Sequence, residues 1–220
     1  MEPLVRMEHI TKTFPGVKAL SDITFEVLPG EVHVLLGENG AGKSTLMKIL
    51  SGAYEPTSGS ITVAGQTYSR LTPSLSAKLG ISIIYQELSV INELSIEENI
   101  FVGRLPVKRV AGVTVVDHAY MRRRTQELLD ILDLRRSPET LVGDLSISEK
   151  QMVEIAKAVA FNARVIIMDE PTSSLTDAEV EKLFAIIRRL RGEGKGIVYI
   201  SHKLKEILAI GDRITVLKDG

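Results

Sequence analysis

The chain has no cysteine among its 220 residues. Disulfides and thiolate metal sites are therefore excluded, and a reducing compartment suits it. Neither sign of charge is in excess: 27 Lys and Arg stand against 28 Asp and Glu, a formal net charge of -1. Such a chain exerts no global attraction on nucleic acid or anionic lipid, so any contact of that kind has to be local. No stretch approaches the ~20 consecutive apolar residues that cross a bilayer. Met1-Glu2-Pro3 lacks the basic region and apolar core of a secretory leader, and no N-K-x-D guanine-reading motif occurs. A soluble protein is expected, able to dock on a partner that is not. The length suits one α/β domain, or a core with one insertion.

What is present begins with Gly37-Glu38-Asn39-Gly40-Ala41-Gly42-Lys43-Ser44-Thr45, a complete G-x-x-x-x-G-K-[ST] loop. It lies between an apolar run (Val32, Val34, Leu35, Leu36) and a helix-like stretch (Leu46, Ile49, Leu50) closed by Gly52, the context in which this pattern binds a nucleoside triphosphate. Its glycines let backbone N–H groups face an anion, and the following helix adds the positive end of its dipole. Lys43 supplies an ammonium for the β- and γ-phosphates, and Ser44 a hydroxyl for Mg²⁺.

Short β-like runs (near Val63, Ile81 to Tyr85, Val165 to Met168, Ile197 to Ile200, Ile214 to Leu217) alternate with helical patterns, which predicts βα units and a mostly parallel sheet. Between Glu87 and Phe161 helical periodicity dominates, through Met121, Leu128, Leu129 and Leu132 and then Met152, Ile155, Ala156 and Val159. The expected organisation is a P-loop core of residues 1–86 and 162–220 with a helical subdomain inserted at 87–161. The run Arg122-Arg123-Arg124 is too short a block for a nucleic-acid patch and has no aromatic beside it, so it reads as a solvated helix face.

A second chemical element is Val165-Ile166-Ile167-Met168-Asp169-Glu170. An apolar strand ending in two carboxylates delivers Asp169 toward a Mg²⁺ shell. Glu170, one residue further, is placed to orient a water for attack on a γ-phosphate. Pro171 stops the strand, and Thr176-Asp177-Ala178-Glu179 has the form of a capping box for the next helix.

The order phosphate loop, Tyr85-Gln86-Glu87, Leu145-Ser146-Ile147-Ser148-Glu149, Asp169-Glu170, Ser174-Leu175-Thr176 and Ser201-His202 resembles the nucleotide-binding domain of ABC transporters over essentially the whole chain. The resemblance implies a P-loop α/β fold with an N-terminal antiparallel β portion and an inserted helical subdomain. By the same resemblance Gln86 touches Mg²⁺ and the attacking water, His202 contacts the γ-phosphate, and Phe14, 23 positions before Gly37, stacks on adenine. The phrases Val32 to Gly52, Ile84 to Leu88, Gln151 to Lys157 and Gly196 to His202 are most similar to the first halves of monosaccharide importer ATPases of the ribose, galactose, arabinose and xylose group. Those proteins usually carry two nucleotide-binding halves, so the chain is expected to be the first half of a longer one.

One stretch departs from the family. Where the signature reads L-S-G-G-Q, this chain has Leu145-Ser146-Ile147-Ser148-Glu149. The signature of one domain closes over ATP held by the other, so Ile147 and Ser148 restrict backbone approach and Glu149, if it faces the phosphate, repels it. Ser146 and Glu149 also suit a capping box for the helix that follows. The resemblance implies an asymmetric pair: complete catalytic hardware (Lys43, Ser44, Gln86, Asp169, Glu170, His202) beside a poor lid. Thr176 stands where many relatives have aspartate, in the loop that crosses the dimer. The implied partners are a second nucleotide-binding domain, membrane permease subunits and, indirectly, a solute-binding protein. The implied location is the cytoplasmic face of the membrane. A soluble ABC protein acting on ribosomes or DNA and a regulatory module without turnover are the alternatives.

Overall fold

Short β-branched runs and amphipathic stretches alternate along the computed structural model, which describes residues 2–86, 88–110, 112–161 and 163–220. In chain order, β1 (Val5–Phe14), β2 (Val17–Val27) and β3 (Val32–Leu36) lead into α1 (Lys43–Leu50). Next come β4 (Ser58–Val63), β5 (Gln66–Tyr68), α2 (Pro73–Lys78) and β6 (Ile81–Ile84). These are followed by α3 (Ile96–Phe101), β7 (Val107–Val110), β8 (Val113–Val116), α4 (His118–Ile131) and α5 (Ile147–Val159). The chain closes with β9 (Val165–Asp169), α6 (Asp177–Gly192), β10 (Gly196–Ile200), α7 (Leu204–Ile210) and β11 (Arg213–Val216).

Two compact units result. One comprises Met1–Gln86, Ala163–Pro171 and Leu183–Gly220; the other comprises Glu87–Asn162 and Thr172–Lys182. The first holds a five-stranded parallel sheet of order β11-β3-β10-β9-β6. Its central strands are covered on both faces, which is why they read as near-continuous apolar runs rather than alternating ones; Val34, Ile166, Ile167, Val198 and Tyr199 are fully buried. In register, Ile200 lies beside both Leu35 and Asp169. The carboxyl ends of β3, β9 and β10 therefore reach one edge together, the edge at which open α/β sheets bind ligands.

The same unit contains an antiparallel sheet of order β2-β1-β4-β5. On β1, Val5 and Met7 face inward while Arg6 faces out, and a register shift past Met7, with His9 at φ 55, restores inward packing at Ile10. One apolar core joins Met7, Ile10, Phe25 and Ile61 to Leu35, Ile167 and Val198 of the parallel sheet and to Leu46, Ile49 and Leu50 of α1. Each such side chain contributes about 1.5–3 kcal/mol by leaving water, so the helix carrying Lys43 and Ser44 is anchored by its own buried face.

The second unit packs α3, α4 and α5 through Ile96, Ile100, Leu128, Leu129, Val153 and Ile155, all buried. Ser95 and Glu98 form a reciprocal capping box on α3. One element there departs from the helical reading of 87–161: β7 and β8 pair as an antiparallel hairpin, Val107 opposite Val116 and Val110 opposite Val113. Five valines and a threonine favour extended backbone, and Gly112 turns at φ 84. No helix among the described residues is long and apolar enough to cross a membrane.

Candidate active site

The phosphate loop joins β3 to α1. Gly42 takes φ 100 at the helix N-cap, and a Cβ there would lie 2.7 Å from both the Ala19 carbonyl oxygen and Leu20 Cδ2. A Cβ on Gly37 would run into the Leu217 carbonyl. Only glycine fits at either place. Lys43 Nζ folds back over the loop, donating to the carbonyls of Gly37 at 2.7 Å and Glu38 at 2.9 Å. Gly37 to Ala41 line an open cavity of about 590 Å³ with His202 and Val216 to Asp219. Glu38, Asn39 and Gly40 are exposed, Ala41 is buried, and Thr45 is half-buried within α1.

Ser44 and Asp169 are 125 positions apart, yet the Ser44 hydroxyl donates to Asp169 Oδ2 at 3.3 Å. Burial pushes the Asp169 carboxyl above its ordinary range; the Ser44 bond and the charges of Lys43 and Lys48 oppose the rise, and adjacent Glu170 adds to it. A hydroxyl and a half-buried carboxylate at the phosphate loop form an oxygen-only donor pair that fits a hard divalent cation, whose charge would also offset the desolvation of Asp169.

Glu170 adopts φ 47, a left-handed conformation that costs a non-glycine residue roughly 1–2 kcal/mol. Its N–H donates to the Ile200 carbonyl at 3.0 Å, and Oε1 meets His202 Nδ1 at 3.0 Å. His202 is otherwise open, its side chain 69% exposed. The loop carrying it is tied by a residue that sequence reading did not single out. The buried Glu206 carboxylate accepts the Tyr199 hydroxyl at 2.7 Å and the Ser201 hydroxyl at 2.9 Å, while Ser201 Oγ accepts the Lys203 N–H at 3.1 Å. The available signal was an acid in the first turn of α7, five residues after Ser201.

Phe14 ends β1 half-buried, edge-on to Tyr54 with centroids 5.5 Å apart. Gln86 is exposed just after β6, and Glu87 lies outside the described residues. The first unit thus brings together the phosphate loop, Ser44, Asp169, Glu170 and His202, while Phe14 forms a separate cluster with Tyr54, Lys12 and Lys48.

The signature segment belongs to the second unit. Leu145 is buried, Ile147 is 61% exposed, and Ser146 caps α5. Ser146 Oγ accepts the Glu149 N–H at 3.3 Å, and Glu149 Oε2 accepts the Ser146 N–H at 2.8 Å. Glu149 Oε1 accepts Arg136 Nε–H at 2.7 Å. This contact with Arg136 holds the carboxyl below its usual range against partial burial. The capping-box reading of Ser146 and Glu149 is the one the structure forms: the Glu149 charge is paired with Arg136 and turned back onto its own helix cap.

Ser148 Oγ lies 3.1 Å from Ser146 Oγ, and the side chains of Ser148 and Thr176 hold the Glu179 carboxyl below its usual range. Glu179 accepts both the N–H and the hydroxyl of Thr176, each at 2.8 Å. The capping box expected at Thr176 is thus only half formed, because the hydroxyl donates to Glu179 instead of accepting an N–H. Upstream, buried Asn99 donates to the Ile91, Leu94 and Ser95 carbonyls, and Glu154 of α5 accepts the Ser89 N–H at 3.1 Å. The arginine run also differs from its reading as free of aromatics: Arg123 lies 5.8 Å from the Tyr120 ring centroid. Arg122 pairs with Glu139, and Arg124 with Glu127.

The model of the ABC transporter family matches residues 20–173. The chain is 54% identical over 220 residues to the ribose import ATP-binding protein RbsA 1 of Rubrobacter xylanophilus, covering 100% of this chain and 43% of that protein. It is 55% identical over 218 residues to the D-allose import ATP-binding protein AlsA of Escherichia coli, covering 99% and 43%. It thus spans less than half the length of these curated relatives. Among solved structures, it superposes on a dimeric ATP-binding cassette in a post-hydrolysis state bound to ADP and Pi, with a TM-score of 0.84 at 27% identity over 98% of this chain and 95% of that one.

Proposed function

The chain belongs to the ABC transporter family, and we propose that it is a nucleotide-binding domain that binds and hydrolyses ATP to energise uptake of a monosaccharide. The observation that carries this reading is the convergence of the phosphate loop, the Ser44–Asp169 contact and the Glu170–His202 contact at one sheet edge. The functions of the relatives, ribose and D-allose import, support the sugar class.

In this mechanism Gly37 to Thr45 cradle the phosphates through backbone N–H groups, and Lys43 exchanges its two loop carbonyls for phosphate oxygens. Ser44 and Asp169, with Gln86, would hold Mg²⁺, which would supply positive charge to offset that of the phosphates. Glu170 orients the attacking water and withdraws its proton. Its strained backbone and the bond from its N–H to Ile200 set its direction. His202, hydrogen-bonded to Glu170, keeps that carboxylate aimed and offers its other ring nitrogen toward the γ-phosphate. Phe14 takes the adenine.

A second nucleotide-binding domain, in the same polypeptide or in another subunit, covers the nucleotide, and membrane permease subunits fed by a solute-binding protein convert closure and reopening into transport at the cytoplasmic face. In return this chain offers Leu145 to Glu149 to its partner's nucleotide. Ile147 and Ser148 keep that backbone further from phosphate than glycines would, so the pair is asymmetric.

The test is steady-state Mg-ATPase activity across a protein-concentration series, with Glu170→Gln as control. The substitution is expected to retain ATP binding and to lower turnover by about 100-fold or more; unchanged turnover removes Glu170 from the mechanism. Turnover of the unaltered chain that stays low as concentration rises supports a site awaiting a different partner domain. A steep rise means that Leu145 to Glu149 close a homodimer.

A further inference from the structure

We propose that Tyr54 and Lys12 are positioning residues that fix the Phe14 ring as a purine platform at a set distance from the phosphate loop, an inference that rests on the nucleotide-binding reading above. Phe14 is the last residue of β1, and Val17 across the turn is 60% exposed, so the strand end by itself gives the ring little to pack on. Tyr54 supplies the missing constraint. Its ring meets Phe14 at an interplanar angle of 73° with centroids 5.5 Å apart, the edge-to-face arrangement that aromatic quadrupoles favour.

Tyr54 is itself tied to the phosphate-binding helix. Its N–H donates to the Lys48 carbonyl at 3.0 Å, and Lys48 lies one turn beyond Ser44 on α1. A continuous path therefore runs from the phosphate loop through α1 and Tyr54 to Phe14, and every link belongs to the first unit.

Lys12 precedes Phe14 by two positions on β1, so the two side chains share a face of the strand. Its ammonium lies 5.0 Å from the Phe14 centroid and 6.0 Å from that of Tyr54, and Lys48 lies 5.4 Å from the Tyr54 centroid. Among the described residues neither ammonium makes an ion pair. A cation against one face of Phe14 draws electron density from the ring, which makes the opposite face a better partner for an electron-rich purine.

The test compares binding of ATP with that of inorganic tripolyphosphate, which reports the phosphate loop without a base. Tyr54→Leu is expected to weaken ATP about five-fold and Lys12→Met about two-fold, both leaving tripolyphosphate unchanged, with Tyr54→Phe close to the unaltered protein. Phe14→Ala combined with Tyr54→Leu is expected to bind ATP no worse than Phe14→Ala alone, because Tyr54 acts through Phe14. Equal losses for both ligands, or no loss for ATP, overturn the proposal. Lys12→Met keeps the test decisive should Tyr54→Leu unfold the chain. If the unaltered protein binds ATP no tighter than tripolyphosphate, the platform fails while the phosphate-loop reading stands; if it binds neither, the nucleotide reading itself fails.

Discussion

The phosphate loop and the signature segment are both helix N-termini, yet they are built in opposite ways. At the first, Gly42 caps α1 with no side chain, and the leading N–H groups are left available to an anion. At the second, Ser146 and Glu149 cap α5 reciprocally, and Arg136 holds the Glu149 carboxylate in place. An uncapped terminus is an anion site awaiting its ligand; a boxed one has already met part of its own demand with side chains. On the proposed function, one kind of element would serve tight phosphate binding in one unit and a weaker contact with a second domain's nucleotide in the other.

The sharpest way to break the comparison is at Gly42. Gly42→Ala places a methyl group against the Ala19 carbonyl at φ 100, and is expected to cost about 3 kcal/mol of stability together with measurable ATP binding, read by chemical denaturation and nucleotide titration. Next in size is Glu206→Ala, which leaves the buried hydroxyls of Tyr199 and Ser201 without this acceptor. It is expected to cost about 2 kcal/mol and to lower turnover by more than it lowers ATP affinity, because the loop carrying His202 loses its anchor.

The signature side should respond more mildly. Arg136→Ala is expected to change stability only slightly, since the pair is largely solvated on the arginine side. It should nevertheless return the Glu149 carboxyl toward its ordinary range, visible in carboxyl titration by NMR. Because Arg136 depresses that group in the folded state, the stability it adds is present above the ordinary carboxylate range and is lost as pH falls through the depressed value; the variant should therefore show a shallower acid limb.

The smallest effect belongs to His33, buried in β3, stacked on Phe25 and bonded to Glu26 and Thr215. Burial lowers its pKa below the ordinary 6.5, so the unfolded chain binds the proton first. Stability is full above about 6.5 and declines as pH falls toward the lowered folded value. His33→Gln is expected to flatten that decline in a series of urea midpoints.

Much of this molecule was legible from residue order. The phosphate loop, the strand Val165 to Asp169 and the strand before Ser201 announce themselves because each is a local pattern bounded by apolar residues and breakers. The hairpin Val107 to Val116 was overlooked, since helical periodicity on either side masks ten residues whose valines favour strand. Glu206 and Tyr54 were silent for another reason: an acid in a first helical turn and an aromatic after a helix are ordinary residues until a distant partner is known.

The sequence alone determined which groups this protein has for handling a nucleotide and the family to which it belongs, because glycine positions, strand periodicity and motif order are set by neighbours along the chain. Only the tertiary structure decided which groups meet. Ser44 reaches Asp169, Glu170 reaches His202, and Glu149 turns to Arg136 instead of to solvent. Those choices arise from sheet order, strand register and helix packing, in which burial of apolar side chains far from the site sets where a few polar atoms come to rest.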